Sequence, residues 1–357
     1  MIRILNLSGT YRDIGRQHGA QVADLRPQIQ IAMKERLSAL RTMGGDYTHY
    51  QEEILQIWEQ HTPDTVEMLA GIAEALKLDR ADYFTYTLSS YLMDRLKQVQ
   101  NRDGCSAWAA SGMLTQDGNP ILAKNRDYHP DHQLLQCVAR IRPQMGYPYI
   151  CLTSAGSPGV FSSGINAAGL AIADTYVGST DVGPGIGRYS LMMAFLEKCC
   201  CVQEAIDLLP AVPHSGSGTM TLADAQGDLA VFEIAHSAQA IRLSDEGFLA
   251  STNHFSAPLT HDLWVEREPE HLRGNSQARR KHIEMALRSA QGQIDLPFSQ
   301  KLMAYHGDVL TSLCRHPDIE ADSITISSVI YLPRQRSMYV ANGLPCSANF
   351  DLVRVID

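Results

Sequence analysis

"NRDGCSAW", residues 101–108, is where the chain changes texture, and the fold is read outward from it. Residues 12–97 ahead of it carry helical patterning. In "HTPDTVEMLAGIAEALKL" (61–78), Thr62 is placed to cap a helix and Pro63 to occupy its first position. Val66, Leu69, Ile72, Ala73 and Leu76 then recur on one face. "DRADYFTYTLSSYLMDRL" (79–96) opens with Asp79 as its cap, and "ADLRPQIQIAMKERLSALRTM" (23–43) carries a further stripe, with Pro27 marking a break or a start. After Gly104 the period shortens. "CSAWAASGML" (105–114) and "NPILAKNRDY" (119–128) flank "TQDG", a hairpin signal centred on Asp117-Gly118.

Strand patterning continues through 177, in "LLQCVARIR", "YPYICLTS", "GVFSSGIN" and "GLAIADTYV". Helices are predicted near 188–200 and 203–209, strands in 218–235 and 239–252, helices near 276–290 and 299–313, and final strands in "SITISSVIYL" and "SMYVANG". Short strand-to-strand links favour antiparallel pairing. Helices grouped against antiparallel sheets make an α+β layered architecture.

The 357 residues suffice for one large or two ordinary domains, and 45% apolar with 19% charged residues is ordinary for a folded soluble chain. A net charge of −9 argues against a nucleic-acid partner. The short run Arg279, Arg280, Lys281 reads as a solvated helix face. "MIRILNLSGTYRDIG" shows no signal peptide, and no stretch approaches the length of a membrane span. Eight scattered cysteines, with "CCC" at 199–201, fit reduced thiols in the cytoplasm, and their spacing lacks the paired C-x-x-C units of structural zinc. No metal and no cofactor are expected. "GPGIG" (183–187) and "SGSG" (215–218) lack the contexts of a dinucleotide loop and of a serine-hydrolase elbow. "HPDH" puts His129, Asp131 and His132 in a turn without a further ligand cluster.

Cys105 is different. Cutting the Gly104–Cys105 bond would leave its thiol on a residue with a free α-amine, whose pKa of about 7.7–8.0 suits it to take the thiol proton. Glycine ahead of the cut leaves the carbonyl open to attack. Such a site needs an acceptor for the amine and a donor for the oxyanion. Hairpin pairing brings Asp127 towards Cys105, Lys124 or Arg126 could stabilise a thiolate, and Asn253 in "STNHF" (251–255) ends a later strand with a suitable amide.

With these residues the chain resembles the acyl-CoA:isopenicillin N acyltransferase family of N-terminal-nucleophile (Ntn) hydrolases, related to choloylglycine hydrolases and penicillin V acylases. "SGTYRDIGRQHGAQ" (8–21) is similar to that family's G-T-x-x-x-I-G-x-Q-H-G motif. "DGCS" (103–106) matches its self-cleavage site, "NRD" (125–127) its N-x-D and "STNH" (251–254) its T-N-H; "SSVIYL" (327–332) falls at its closing strand. The resemblance implies a four-layer αββα sandwich and self-cleavage before Cys105. It implies a mainly helical segment 1–104 that stays associated with segment 105–357 in one globular unit. It makes Cys105 the nucleophile, sets Asp127 near the α-amine and Asn253 in the oxyanion hole, and offers Lys124, Asn125, Arg126, Thr175 and His254 as supporting residues. Relatives often carry an asparagine near Thr175 or Tyr176, where "ADTY" has none, which leaves the second oxyanion donor to a backbone N–H.

The expected activity is hydrolysis of a small N-acyl or aminoacyl amide through a thioester. An acyl-CoA-dependent acyltransferase, with acyl-CoA as co-substrate only, is the close rival. An uncut, non-catalytic binding or scaffold protein is the rival of another class. Pocket residues are expected from the 44–60 and 177–190 loops and the end of the first segment. The partner is a small molecule; no membrane is involved, and no oligomeric state can be read.

Overall fold

The computed structural model describes residues 2–44, 47–96, 104–266, 268–317 and 323–355. Asp103 of the "DGCS" motif therefore lies outside the described residues. The chain starts with a strand, Arg3–Gly9 (β1), followed by helices Tyr11–Gln21 (α1), Arg26–Met43 (α2), Thr48–His61 (α3), Pro63–Leu76 (α4) and Arg80–Arg95 (α5). Thr10 caps α1 by accepting from the Asp13 N–H at 3.2 Å, and Asp79 caps α5 by accepting from Asp82 at 2.9 Å.

The residue types in segment 8–21 have physical reasons. A side chain on Gly15 would overlap the Met68 carbonyl and press on Gly71, so α1 and α4 cross backbone to backbone. Gln17 donates to Ser8 O at 2.8 Å and accepts from Ser8 N at 3.0 Å, tying α1 to the free side of β1. His18 is fully buried and accepts from Gly156 N at 2.9 Å; burial draws its pKa down to about 4, so it is neutral.

Among the described residues thirteen further strands follow: Ser106–Ala110 (β2), Ile121–Tyr128 (β3), Gln136–Pro143 (β4), Tyr149–Ser154 (β5), Ser163–Asn166 (β6), Ala171–Tyr176 (β7), Gly218–Ala223 (β8), Leu229–Ile234 (β9), Gln239–Leu243 (β10), Phe248–Ser251 (β11), Ile324–Leu332 (β12), Ser337–Asn342 (β13) and Phe350–Arg354 (β14). Helices Arg188–Lys198 (α6) and Val202–Leu208 (α7) sit between β7 and β8; Asn275–Ser289 (α8) and Leu296–Met303 (α9) sit between β11 and β12. One sheet runs β1-β4-β5-β6-β7-β8-β9-β10, the other β11-β2-β3-β12-β13-β14. All these pairings are antiparallel except β1 with β4, so the first segment is woven into the larger sheet.

Three cores separate four layers. Ile14, Leu69, Leu88 and Phe195 from the helices pack on Leu5, Ile141 and Phe232 of the larger sheet. Val138, Ile150 and Val231 of that sheet meet Ala107, Leu122, Val329 and Val340 of the smaller one. Trp108, Ala123 and Ile330, on the far face of the smaller sheet, meet Ile283, Leu287 and Met303 of α8 and α9. The period-2 alternation of Ala107 and Ala109 against Trp108 and Ala110 serves two cores from one strand. The architecture is an αββα sandwich. Among the described residues, no helix is long and apolar enough to cross a membrane.

Three expectations are corrected. β2 and β3 pair antiparallel as the hairpin requires, but their connection is a loop over 111–120 rather than a turn confined to Asp117-Gly118, although Gly118 does take the left-handed turn (φ 74°). The helix expected at 299–313 spans only Leu296–Met303: beyond it the Asp308 carboxylate accepts from the backbone of Leu310 and Thr311, which competes with helical bonding. Most of 44–60 forms α3 rather than a loop.

Candidate active site

The site is built at the start of β2. In the β2–β3 register Ser106 lies opposite Asn125, which brings Cys105 to the end of β3. The buried Cys105 thiol donates to the Asp127 carbonyl oxygen at 3.7 Å. β3 alternates sides: Asn125 and Asp127 face α8 and α9, whereas Lys124 and Arg126 turn into the layer between the sheets. Asp127 Oδ1 accepts from Thr325 Oγ1 at 2.7 Å. Oδ2 stands 3.5 Å from Arg315 Nε and, among the described residues, has no hydrogen-bond donor. Burial raises the Asp127 pKa above the usual carboxylate value, opposed by Arg315, Thr325 and Arg279.

Gly104 is pinned between charges. A Cβ there would overlap Arg315 and Asp127 Oδ2, so what this position demands is space. Its carbonyl oxygen accepts from Arg279 Nη1 at 2.7 Å, and the same nitrogen reaches Cys105 O at 2.8 Å and Ser106 Oγ at 2.8 Å. Arg279 Nη2 donates to Asn253 Oδ1 at 2.8 Å, and Nε to Asn275 Oδ1 at 2.8 Å. Asn253 Nδ2 donates to Tyr176 O at 2.9 Å. One fully buried guanidinium thus links Gly104, Cys105 and Asn253. Burial, together with Arg315, draws the Arg279 pKa down to about 9, which keeps it charged at neutral pH.

This overturns the reading of a solvated helix face for Arg279, whereas Arg280 is half-buried and Lys281 is exposed as expected. A signal existed: Arg279, Ile283 and Leu287 recur at helical spacing and share the buried face of α8. Arg315 had no comparable signal, because it sits in an irregular loop.

The other candidates divide by side of the sheet. Lys124 donates to Ser162 O at 3.2 Å and pairs with Asp174, which also holds Arg188 at 3.2 Å. Arg126 donates to Gln136 Oε1 and Ser154 Oγ, both at 3.1 Å. Asn125 donates to Met303 O and Leu313 O, both at 2.8 Å, fastening α9 and the loop after it. Thr175 Oγ1 donates to Thr252 O at 2.7 Å, and His254 meets Ser276 Oγ at 2.7 Å, with burial pushing its pKa down to about 3. In "HPDH", His129 pairs with Asp131 at 3.4 Å, while His132 packs edge-on against Tyr128.

Comparison with known proteins adds an independent finding. The model of the family described as acyl-coenzyme A:6-aminopenicillanic acid acyl-transferase matches residues 114–346, well over half of the chain, starting after Cys105 and including Asp127, Asn253 and Arg279. No curated protein matches. Three solved structures superpose in part. A conjugated bile acid hydrolase from Clostridium perfringens has 14% identity over 70% of this chain and 96% of that one, with a TM-score of 0.47. An N-acylethanolamine-hydrolyzing acid amidase ortholog from Caenorhabditis elegans has 15% identity over 64% and 93%, with a TM-score of 0.47. Penicillin V acylase from Agrobacterium tumefaciens has 14% identity over 70% and 86%, with a TM-score of 0.46. On the extent of the family match, the chain belongs to the acyl-coenzyme A:6-aminopenicillanic acid acyl-transferase family.

Proposed function

We propose that this protein is a self-activating cysteine amidohydrolase that acts on a small N-acyl or aminoacyl amide. The observation that carries the reading is the single guanidinium of Arg279 on the carbonyl oxygens of both Gly104 and Cys105, with the buried Asp127 Oδ2 beside them, 3.5 Å from Arg315 and without a hydrogen-bond donor among the described residues. In the precursor, the Cys105 sulfur attacks the Gly104 carbonyl carbon. The developing oxyanion meets Arg279 Nη1, the C–N bond breaks as the Cys105 nitrogen takes up a proton, and water hydrolyses the resulting thioester. The products are a Gly104 carboxylate and a free α-amine on Cys105, for which Asp127 Oδ2 is the acceptor.

In the mature enzyme, the α-amine takes the thiol proton as sulfur attacks the substrate carbonyl, then passes it to the leaving amine. Asn253, oriented by Arg279 and Tyr176, keeps one amide N–H for the substrate oxyanion. Lys124, Asn125, Arg126, Thr175 and His254 support the site by holding its strands and loops. Segments 1–104 and 105–357 stay together because β1 pairs with β4 and the helices share a core with the larger sheet. The chemistry needs no cofactor, and the thiols fit a reducing cytoplasm.

The family's description favours a second reading, acyl transfer to an amine with acyl-CoA as co-substrate. Mature protein incubated with a panel of N-acyl amides should release acid and amine, and Cys105→Ala should release neither. Product diverted to a new amide by added amine or acyl-CoA favours the transferase; no turnover of any kind by fully cleaved protein overturns both readings.

A further inference from the structure

Beyond α9 the chain gathers four metal-ligating side chains that the amide chemistry does not use. His306, Cys314 and His316 lie in the irregular 304–317 loop, and Cys346 lies in the connection between β13 and β14. Their donor atoms all fall within 4.8 Å of one another. His316 Nε2 is 3.7 Å from Cys314 Sγ, 3.3 Å from Cys346 Sγ and 2.9 Å from His306 Nε2. A tetrahedron with Zn–S of about 2.3 Å and Zn–N of about 2.0–2.1 Å has edges of roughly 3.3–3.8 Å. The three distances from His316 Nε2 therefore lie within about 0.5 Å of such edges, the two imidazole nitrogens being slightly too near each other, and the remaining separations stay within 4.8 Å.

We propose that His306, Cys314, His316 and Cys346 form a tetrahedral zinc site that fixes the loop carrying Arg315. Two thiolates and two imidazoles suit zinc among the common divalent ions. Binding would release both thiol protons to solvent. The spacing hid the site, because the ligands come as C-x-H in one loop with one residue before it and one from a distant turn, not as paired C-x-x-C units.

The position gives the metal a purpose. Arg315 lies between two of the ligands, Cys314 and His316, and it stands against Gly104 and 3.5 Å from Asp127. Asn275 Oδ1 accepts from Arg315 Nη2 at 2.5 Å, and Thr325 Oγ1 accepts from its backbone N–H at 2.9 Å. The rest of the 304–317 loop has no regular secondary structure, and a metal with ligands on both sides of Arg315 would fix that backbone. Arg315 is then a positioning residue set by the metal. A second group, Cys200, Cys201 and Glu204, offers only three donors, and the Glu204 carboxylate already accepts the Cys200 N–H at 2.7 Å as the start of α7 is formed.

The test uses the full chain, purified without a metal-affinity resin. Elemental analysis should find zinc equimolar with protein. After chelation, cobalt(II) alone should give a thiolate charge-transfer band and the visible bands of tetrahedral cobalt. His306→Ala and Cys346→Ser, both at exposed positions, should weaken metal binding by more than about tenfold, the loss typical of even a residue that only supports a ligand. Cys200→Ser should change nothing. Amide hydrogen exchange across 304–317 should quicken in the stripped protein and recover with zinc. Absence of both zinc and the cobalt bands, or a Cys314–Cys346 disulfide in the isolated protein, overturns the site; unchanged exchange overturns its hold on the loop. None of these readouts depends on self-cleavage or amide turnover.

Discussion

Arg279 Nη1 lies 2.7 Å from the carbonyl oxygen of Gly104, close enough to take the charge that attack by Cys105 would place there. Removing this donor should therefore slow self-cleavage. Arg279→Met, which keeps much of the volume, should lower the cleavage rate by about 10²–10³-fold, the usual cost of one oxyanion donor. Arg279→Lys should recover little of it, because a single ammonium cannot span Gly104, Cys105 and Asn253 together. The fraction of uncut chain on denaturing gels over time is the readout; wild-type kinetics in Arg279→Met would remove the arginine from the reaction.

Gly104→Ala should also leave precursor. Its Cβ would overlap Arg315 and the Asp127 carboxylate, and relieving that overlap would shift the scissile carbonyl away from Arg279 Nη1. The variant should fold, since the strain is local to one side chain at the end of the first segment. Cleavage as fast as wild type would show that space at this position is not limiting.

How much of this was legible in the sequence follows from what each residue depends on. Cys105 and Asp127 could be paired because strand alternation and a nearby turn set their register within a few residues. The helices Pro63–Leu76 and Arg80–Arg95 were legible from Pro63, Asp79 and the apolar spacing. β1 escaped because its partner strand is distant in sequence, and β14 because it is short and mostly unburied. Arg279 was masked by its charged neighbours Arg280 and Lys281, and Arg315 and the His–Cys cluster by an irregular loop. The T-N-H segment was readable, but that Asn253 is held through Arg279 is a tertiary fact.

Acid should destabilise the fold over a defined window. Burial holds His18 at about 4 and His132 and His254 at about 3, each below the unfolded value of about 6.5. Since the unfolded chain takes up these protons first, the stability is complete above about 6.5 and is lost as pH falls towards the folded values. Each unit of separation is worth about 1.4 kcal/mol. The urea midpoint should drop steadily from neutral pH to about 4.5. His18→Gln, which keeps an acceptor for Gly156 N without the titration, should flatten part of the slope. A midpoint independent of pH would contradict the burial of these imidazoles.

Gly15→Ala should destabilise the precursor without touching the chemistry of the cut. The added methyl meets the Met68 carbonyl and Gly71, so α1 and α4 must move apart, at about 1–3 kcal/mol. Thermal melting of Cys105→Ala carrying this second change, compared with Cys105→Ala alone, isolates the packing cost. An unchanged melting temperature would mean that the helices do not cross this closely.

Self-activation is tested most directly by the denatured mass of protein purified after long incubation. Two species are expected, residues 1–104 and residues 105–357 with Cys105 at the new N-terminus, and one undivided chain for Cys105→Ala. A single intact mass for the wild-type protein, while it still turns over an amide, would contradict self-activation at Cys105.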